Sequence, residues 1–218
     1  MSMILFVGPS GIGKTYMMRE YLIPALLWDS AQVTSLAPVE GYAAALIADP
    51  ATVEWPDGQY GPAPRYVDVA EWRRAQKRSR VARFSNASFH AMCDVGVRYG
   101  RLVICLDDME RELGSESRPS PEATELITRG RLHGCVTIGA CRRMMAVHTS
   151  VRANVEIVYF GNLTDDNDRA YAAKSAGINP EWLRGINRPG VLLEWRRATG
   201  EKCLIRVESR QKLILRKL

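Results

Sequence analysis

The feature that most restricts this chain lies near its start. Met3-Ile4-Leu5-Phe6-Val7 is an unbroken apolar run of β-formers, and Gly8-Pro9-Ser10-Gly11-Ile12-Gly13-Lys14-Thr15 follows at once. An uninterrupted apolar strand suits a sheet covered on both faces, because both of its side-chain rows then meet a core. From Lys14 to Leu27 apolar residues recur at helical spacing, at Tyr16, Met17, Tyr21, Leu22 and Leu26. The order is therefore strand, glycine loop, helix. Gly-x-x-x-x-Gly-Lys-Thr in that setting is the phosphate-loop pattern: glycines let backbone N–H groups turn inward around phosphate oxygens, at the positive end of the following helix. The pattern assigns Gly8, Pro9, Ser10, Gly11, Ile12, Gly13, Lys14, Thr15 and Tyr16 to nucleotide binding. Lys14 would reach the β- and γ-phosphates and Thr15 would hold Mg²⁺, so ATP and Mg²⁺ are the expected ligands.

The rest of the chain alternates strand and helix. A second strand is expected at Gln32 to Val39 and a third near Arg65 to Val69, separated by a Pro-, Gly- and Asp-dense surface excursion over residues 50–64. Val69 to Tyr99 reads as mostly helical. Leu102 to Leu106 is a buried-type strand, Glu122 to Leu132 a helix, and Val136 to Cys141 and Glu156 to Phe160 two more strands. Such alternation predicts a mostly parallel α/β sheet flanked by helices, as one domain spanning residues 1–218. Asn187-Arg188-Pro189-Gly190 then turns into Val191 to Arg197, which pairs with Cys203 to Glu208 as an antiparallel hairpin, so that 187–218 is a hairpin and tail.

A second chemical element ends the strand at Leu102 to Leu106: Asp107-Asp108, with Glu110 two residues on. In phosphate-loop enzymes an Asp so placed, on the neighbouring strand, sits beside the metal. Asp107 is the expected metal-side carboxylate, and either Asp108 or Glu110 the group that activates water. A helix-capping role is the alternative for each Asp. Positive charge near the developing negative charge completes such a site, and Arg129, Arg131, Arg142 and Arg143 are candidates.

Composition removes other chemistries. Five cysteines form no Cys-x-x-Cys pair and three histidines stand singly, which favours small buried thiols in a reducing cytoplasm and leaves no metal held by protein ligands alone. No apolar run is long enough to span a bilayer, and the start lacks a basic, cleavable leader, so neither secretion nor membrane insertion is expected. The net charge of +6 favours a polyanionic partner. Much of it gathers between Arg65 and Arg83, where Arg65, Arg73, Arg74, Lys77, Arg78, Arg80 and Arg83 exceed Asp68 and Glu71 by five. That stretch is either a solvated face or a sequence-independent grip on phosphates. Trp72, Trp182 and Trp195 are read as packing residues.

One stretch carries a family likeness. Arg129-Gly130-Arg131-Leu132-His133-Gly134-Cys135-Val136-Thr137-Ile138-Gly139-Ala140-Cys141-Arg142-Arg143, continuing through Val151-Arg152-Ala153-Asn154 to Phe160, resembles the core of the FtsK–HerA superfamily of DNA-translocating ATPases. Gly130-Arg131 matches the family's Gly-Arg, and Arg142 the sensor arginine. Cys141 stands where that family places Gln, and Arg143 where Pro is common. The chain is most similar to the packaging ATPases of tailless viruses with an internal membrane. That resemblance implies a homo-oligomeric ring, a hexamer, which drives double-stranded DNA into a preformed capsid, at the virion vertex or in the host cytoplasm, with capsid vertex proteins as partners. An arginine, Arg131 or Arg142, would then act across subunits. A small nucleotide or metabolite kinase is the rival reading, as are another phosphate-loop ATPase in DNA transfer or phage assembly and a regulatory ATP-binding partner.

Overall fold

β1 (Met3–Val7) runs through the middle of a twisted sheet, and its side chains alternate between two cores: Met3, Leu5 and Val7 enter one, Ile4 and Phe6 the other. That is why no polar residue interrupts it. The computed structural model describes residues 3–28, 42, 44–48, 65–66, 69–74, 81–84, 89–186, 188–208 and 211–218.

Among the described residues, seven strands are parallel. They are β1, β2 (Ala44–Ala48), β3 (Arg65–Tyr66), β4 (Val81–Phe84), β5 (Leu102–Leu106), β6 (Val136–Cys141) and β7 (Ile157–Phe160). Three antiparallel strands extend the same sheet beyond β7: β8 (Val191–Arg196), β9 (Lys202–Glu208) and β10 (Gln211–Lys217). The order across the sheet is β10-β9-β8-β7-β1-β6-β5-β2-β4-β3.

Helices cover both faces. The segment after the glycine loop comprises α1 (Lys14–Met17), a π-turn over Met18–Leu22 and α2 (Ile23–Trp28), and it buries Met17, Leu22 and Leu26 beside Ile4 and Phe6. On the other face lie α3 (Val69–Arg74), α4 (Phe89–Tyr99), α5 (Met109–Glu112), α6 (Pro121–Arg129), α7 (Thr149–Asn154), α8 (Asp166–Ala176) and α9 (Pro180–Arg184), with Phe89, Met92, Leu126 and Val151 in their core. Local chemistry sets the helix starts. The Ser120 hydroxyl accepts a bond from the Ala123 amide at 3.1 Å, and Pro121 occupies the first turn, where its missing N–H costs nothing.

The mostly parallel α/β sheet anticipated from the sequence is present, with β5 and β6 at their expected bounds. Four local readings need adjustment. The mostly helical stretch expected from Val69 to Tyr99 holds two helices with a strand, β4, between them, because Val-Ala-Arg-Phe pairs with β2 and buries Ala82 and Phe84. β2 went unanticipated: its Ala-Ala-Leu-Ile-Ala has weak β-propensity, and central burial overrides that preference. The helix expected to reach Leu132 ends at Arg129 and tightens into a 3₁₀ turn over Gly130–His133. The terminal hairpin gains a third strand, β10, from residues read as a tail. The strand expected at 32–39 and the excursion at 50–64 lie outside the described residues.

Candidate functional site

The carboxyl ends of β1, β5 and β6 meet at one edge of the sheet, which is where open α/β sheets form their ligand crevices. The loop after β1 is anchored on both sides: the Gly8 amide donates to the Cys141 carbonyl at 3.1 Å, and the Gly161 amide to the Val7 carbonyl at 2.7 Å. Buried Ile12 packs over Gly161, where any Cβ would meet its side chain at 2.7 Å. Gly13 has φ 96°, a left-handed conformation costly for other residues, and a Cβ there would lie 2.9 Å from the Gly190 nitrogen. Gly190 in turn donates its N–H to the Ile12 carbonyl at 2.9 Å. The turn ahead of β8 thus braces the glycine loop, a contact that the Asn-Arg-Pro-Gly sequence advertised only as a turn.

A cleft of about 340 Å³ opens over this loop, lined by Ser10, Gly11, Gly13, Lys14, Thr15 and Tyr16. Asp107, Asp108, Cys141 and Arg142 close its other side. Lys14 Nζ donates to the Gly8 and Pro9 carbonyls at 2.6 and 2.8 Å, so its ammonium is folded back over the loop. Burial pulls its pKa below the ordinary lysine range, with Arg142 pushing the same way and the Asp107 and Glu110 carboxylates opposing. Thr15 Oγ1 lies 2.9 Å from both carboxylate oxygens of Asp107. The strand bearing Asp107 is not adjacent to β1, as the sequence reading had it: β6 lies between them. The two side chains still meet because both strands run parallel and end at the same level.

The remaining candidates separate. Asp108 is exposed, faces the cleft and makes no capping bond at the start of α5, so the capping alternative does not describe it. Glu110 is engaged elsewhere. Its Oε1 accepts the Arg142 and Arg143 amides at 2.8 and 2.7 Å, tying α5 to the end of β6. Arg142 reaches the cleft of its own chain. Arg143 leaves it to pair with Asp165 at 2.8 Å and with Asp168 at 3.5 Å. Burial raises the Asp168 carboxyl above its usual range, while the Asp168 amide, together with Arg143, lowers that of Asp165. Cys141 is buried, and burial pushes its thiol up, so it presents a neutral S–H at the site.

Arg131 lies at the opposite end of the sheet. It is exposed in the turn that precedes β6, whereas the cleft follows the last residue of that strand. Six strand residues at about 3.3 Å each put roughly 20 Å between them, beyond the reach of any side chain. Arg129 is exposed and 3.9 Å from Glu125. In the basic segment Arg74 is exposed and Arg83 buried, while Lys77, Arg78 and Arg80 lie outside the described residues. Trp72 and Trp195 pack as expected, but Trp182 is 42% exposed.

A glycine loop after the first strand, with a carboxylate at the end of the strand next but one, defines a phosphate-loop NTPase fold. Solved structures share that fold over almost their whole length. The genome-packaging NTPase B204 of Sulfolobus turreted icosahedral virus 2 in complex with ATP-gammaS superposes with a TM-score of 0.69 at 15% identity, covering 93% of this chain and 95% of that one. Its complex with AMPPCP gives 0.68 at 14%, over 93% and 96%. B204 from Sulfolobus turreted icosahedral virus, described as a DNA-packaging ATPase, gives 0.65 at 13% over the same shares. The resemblance to packaging ATPases seen in the sequence therefore holds at the level of the fold. No protein-family model and no curated protein sequence matches the chain.

Proposed function

We propose that this protein hydrolyses ATP to move double-stranded DNA, as a genome-packaging motor. The observation that carries the ATPase half is the approach of Thr15 Oγ1 to both Asp107 oxygens at 2.9 Å, beside a lysine folded over a glycine loop. The packaging half is supported by the full-length fold match to packaging NTPases and by the net charge of +6.

The donor set fits magnesium. Two hard oxygen donors stand side by side, and among the described residues no cluster of three acidic, cysteine or histidine side chains competes for a metal. Mg²⁺ is ordinarily held by one or two such groups, with phosphates and water completing its shell. When bound, it would neutralise charge on the phosphates. Residues 8–16 would hold the triphosphate, with Lys14 swinging from the loop carbonyls to the terminal phosphates. Asp108 orients the attacking water and accepts its proton as the new P–O bond forms and the bond to the β-phosphate oxygen breaks. Glu110 acts through the Arg142 backbone, and Arg142 places positive charge at the γ-phosphate. Arg131, too far from its own cleft, serves a neighbouring subunit of a homo-oligomeric ring, a hexamer in this reading. The ring works at a capsid vertex or in the host cytoplasm, and the basic segment that contains exposed Arg74 grips phosphates without reading sequence.

Duplex DNA should raise ATP turnover several-fold at low salt, and the stimulation should fade as salt rises through the physiological range. Turnover that ignores duplex DNA at every salt concentration, but rises with a nucleoside monophosphate acceptor, overturns the motor in favour of a kinase.

The two carboxylate roles separate by substitution. Gln at position 110 still offers an oxygen to the Arg142 and Arg143 amides, so Glu110→Gln should keep turnover within about threefold, while Asp108→Asn should lose about a hundredfold. If single-turnover rates show the reverse ranking, Glu110 is the base and Asp108 is not.

A further inference from the structure

At the far edge of the sheet from β3, the antiparallel strands and α9 enclose a second groove, of about 520 Å³. Trp182, Ile186, Val191, Leu193, Leu204 and Leu215 give it an apolar floor. Arg188, Arg206 and Arg216 supply its charged lining, and among the described residues no acidic one lines it. Arg206 has Glu208 at 2.8 Å, but among the described residues neither Arg188 nor Arg216 has an acidic partner. Beside the groove, β10 is the outermost strand, and Leu213, Ile214 and Leu215 along it, with Leu218 just past its end, are 38–51% exposed. Proteins usually blunt an edge strand with charge or cover it. The strand does carry Lys212, Arg216 and Lys217 and a bulge between Ile214 and Arg216, yet Leu213, Ile214 and Leu215 stand consecutively exposed among those charges, an aliphatic stretch suited to being covered.

We propose that this groove and the β10 edge dock an extended segment of a partner protein, one that carries alternating aliphatic and acidic side chains. The edge offers backbone groups for strand addition, the trough takes aliphatic side chains, and Arg188 and Arg216 select carboxylates. Two other occupants fit less well. A second copy pairing through the same face would bring two arginine-lined troughs of like charge together, because a two-fold interface matches a patch with its own copy. Duplex DNA would satisfy the arginines but leave the leucines and isoleucine uncovered, since its contacts are made mainly through phosphates. The groove shares no lining residue with the nucleotide cleft, although Arg188 and Val191 flank the Gly190 turn that braces the glycine loop, and the peptide-binding test is read without ATP hydrolysis.

The test uses the full chain and a dye-labelled, end-blocked synthetic peptide of alternating leucine and glutamate, followed by fluorescence anisotropy. Saturable binding is expected, at least about tenfold tighter than for the same peptide with lysine in place of glutamate. Charge reversal at two sites, Arg188→Glu with Arg216→Glu, should invert that preference, and Leu215→Asp should abolish binding while thermal unfolding shows each variant folded. No saturable binding to the unaltered protein, or equal affinity for the two peptides, overturns the proposal. So does displacement of the peptide by duplex DNA whose own affinity falls with the charge reversal, which makes the groove a nucleic-acid surface. A dimer in sedimentation that Leu215→Asp dissolves would make it a self-interface.

Discussion

Lys14→Ala is expected to lower ATP turnover by about a thousandfold while leaving the fold intact. The loss is large because positive charge aimed at the transferring phosphoryl group acts where water is largely excluded, and mutating one such contact typically costs two to three orders of magnitude. The fold should survive because the Lys14 ammonium donates to two loop carbonyls, those of Gly8 and Pro9, which water can solvate once the ammonium is gone. Burial already lowers the pKa of this lysine, so part of its charge stabilisation awaits a bound anion. Circular dichroism should be unchanged and the Kd for an ATP analogue raised. Turnover within threefold of the unaltered protein would remove the nucleotide reading altogether. The same variant probes Arg131. Inactive Lys14→Ala subunits still carry Arg131, and Arg131→Ala subunits still carry Lys14, so mixed assemblies should regain activity that neither parent shows. Mixed rings that assemble without recovery would exclude Arg131 as the cross-subunit charge.

Asp107→Asn is the second large effect, expected at two to three orders of magnitude in turnover. Asparagine preserves the shape and keeps one oxygen to accept the Thr15 hydroxyl, which now sits 2.9 Å from each carboxylate oxygen. What disappears is the negative charge that a divalent cation requires. The change should therefore leave the unfolding midpoint nearly unmoved and shift the Mg²⁺ dependence of turnover to much higher concentration. Partial rescue by excess Mg²⁺ is the expected signature. An unaltered Mg²⁺ dependence would place the metal elsewhere and return Asp107 to a structural partner of Thr15.

Local sequence carried more of the site than of its surroundings. The glycine loop was legible because each of its requirements is local: left-handed backbone at Gly11 and Gly13, a lysine directly after, and a hydroxyl one residue further. Asp107 was legible because it ends a run of five apolar residues. The part played by Glu110 was not, since a carboxylate four residues past the end of β5 reads equally as a base or as a solvated charge. Only its bonds to the amides of residues 142 and 143, over thirty positions away, identify it as a brace. Likewise the Gly13–Gly190 contact joins two turns that look unrelated in the chain.

The sequence by itself determined the alternation of strand and helix and the chemistry of the phosphate loop, because periodicity and backbone permissiveness act over a few residues. Tertiary structure alone decided that β6 separates the lysine and carboxylate strands, that Ala44–Ala48 is a central strand, and that Arg131 stands a sheet's length from the cleft while Arg142 enters it. Those outcomes depend on which strands pair and in what order. Pairing is settled by burying both faces of the sheet at once, a collective condition that no single segment encodes.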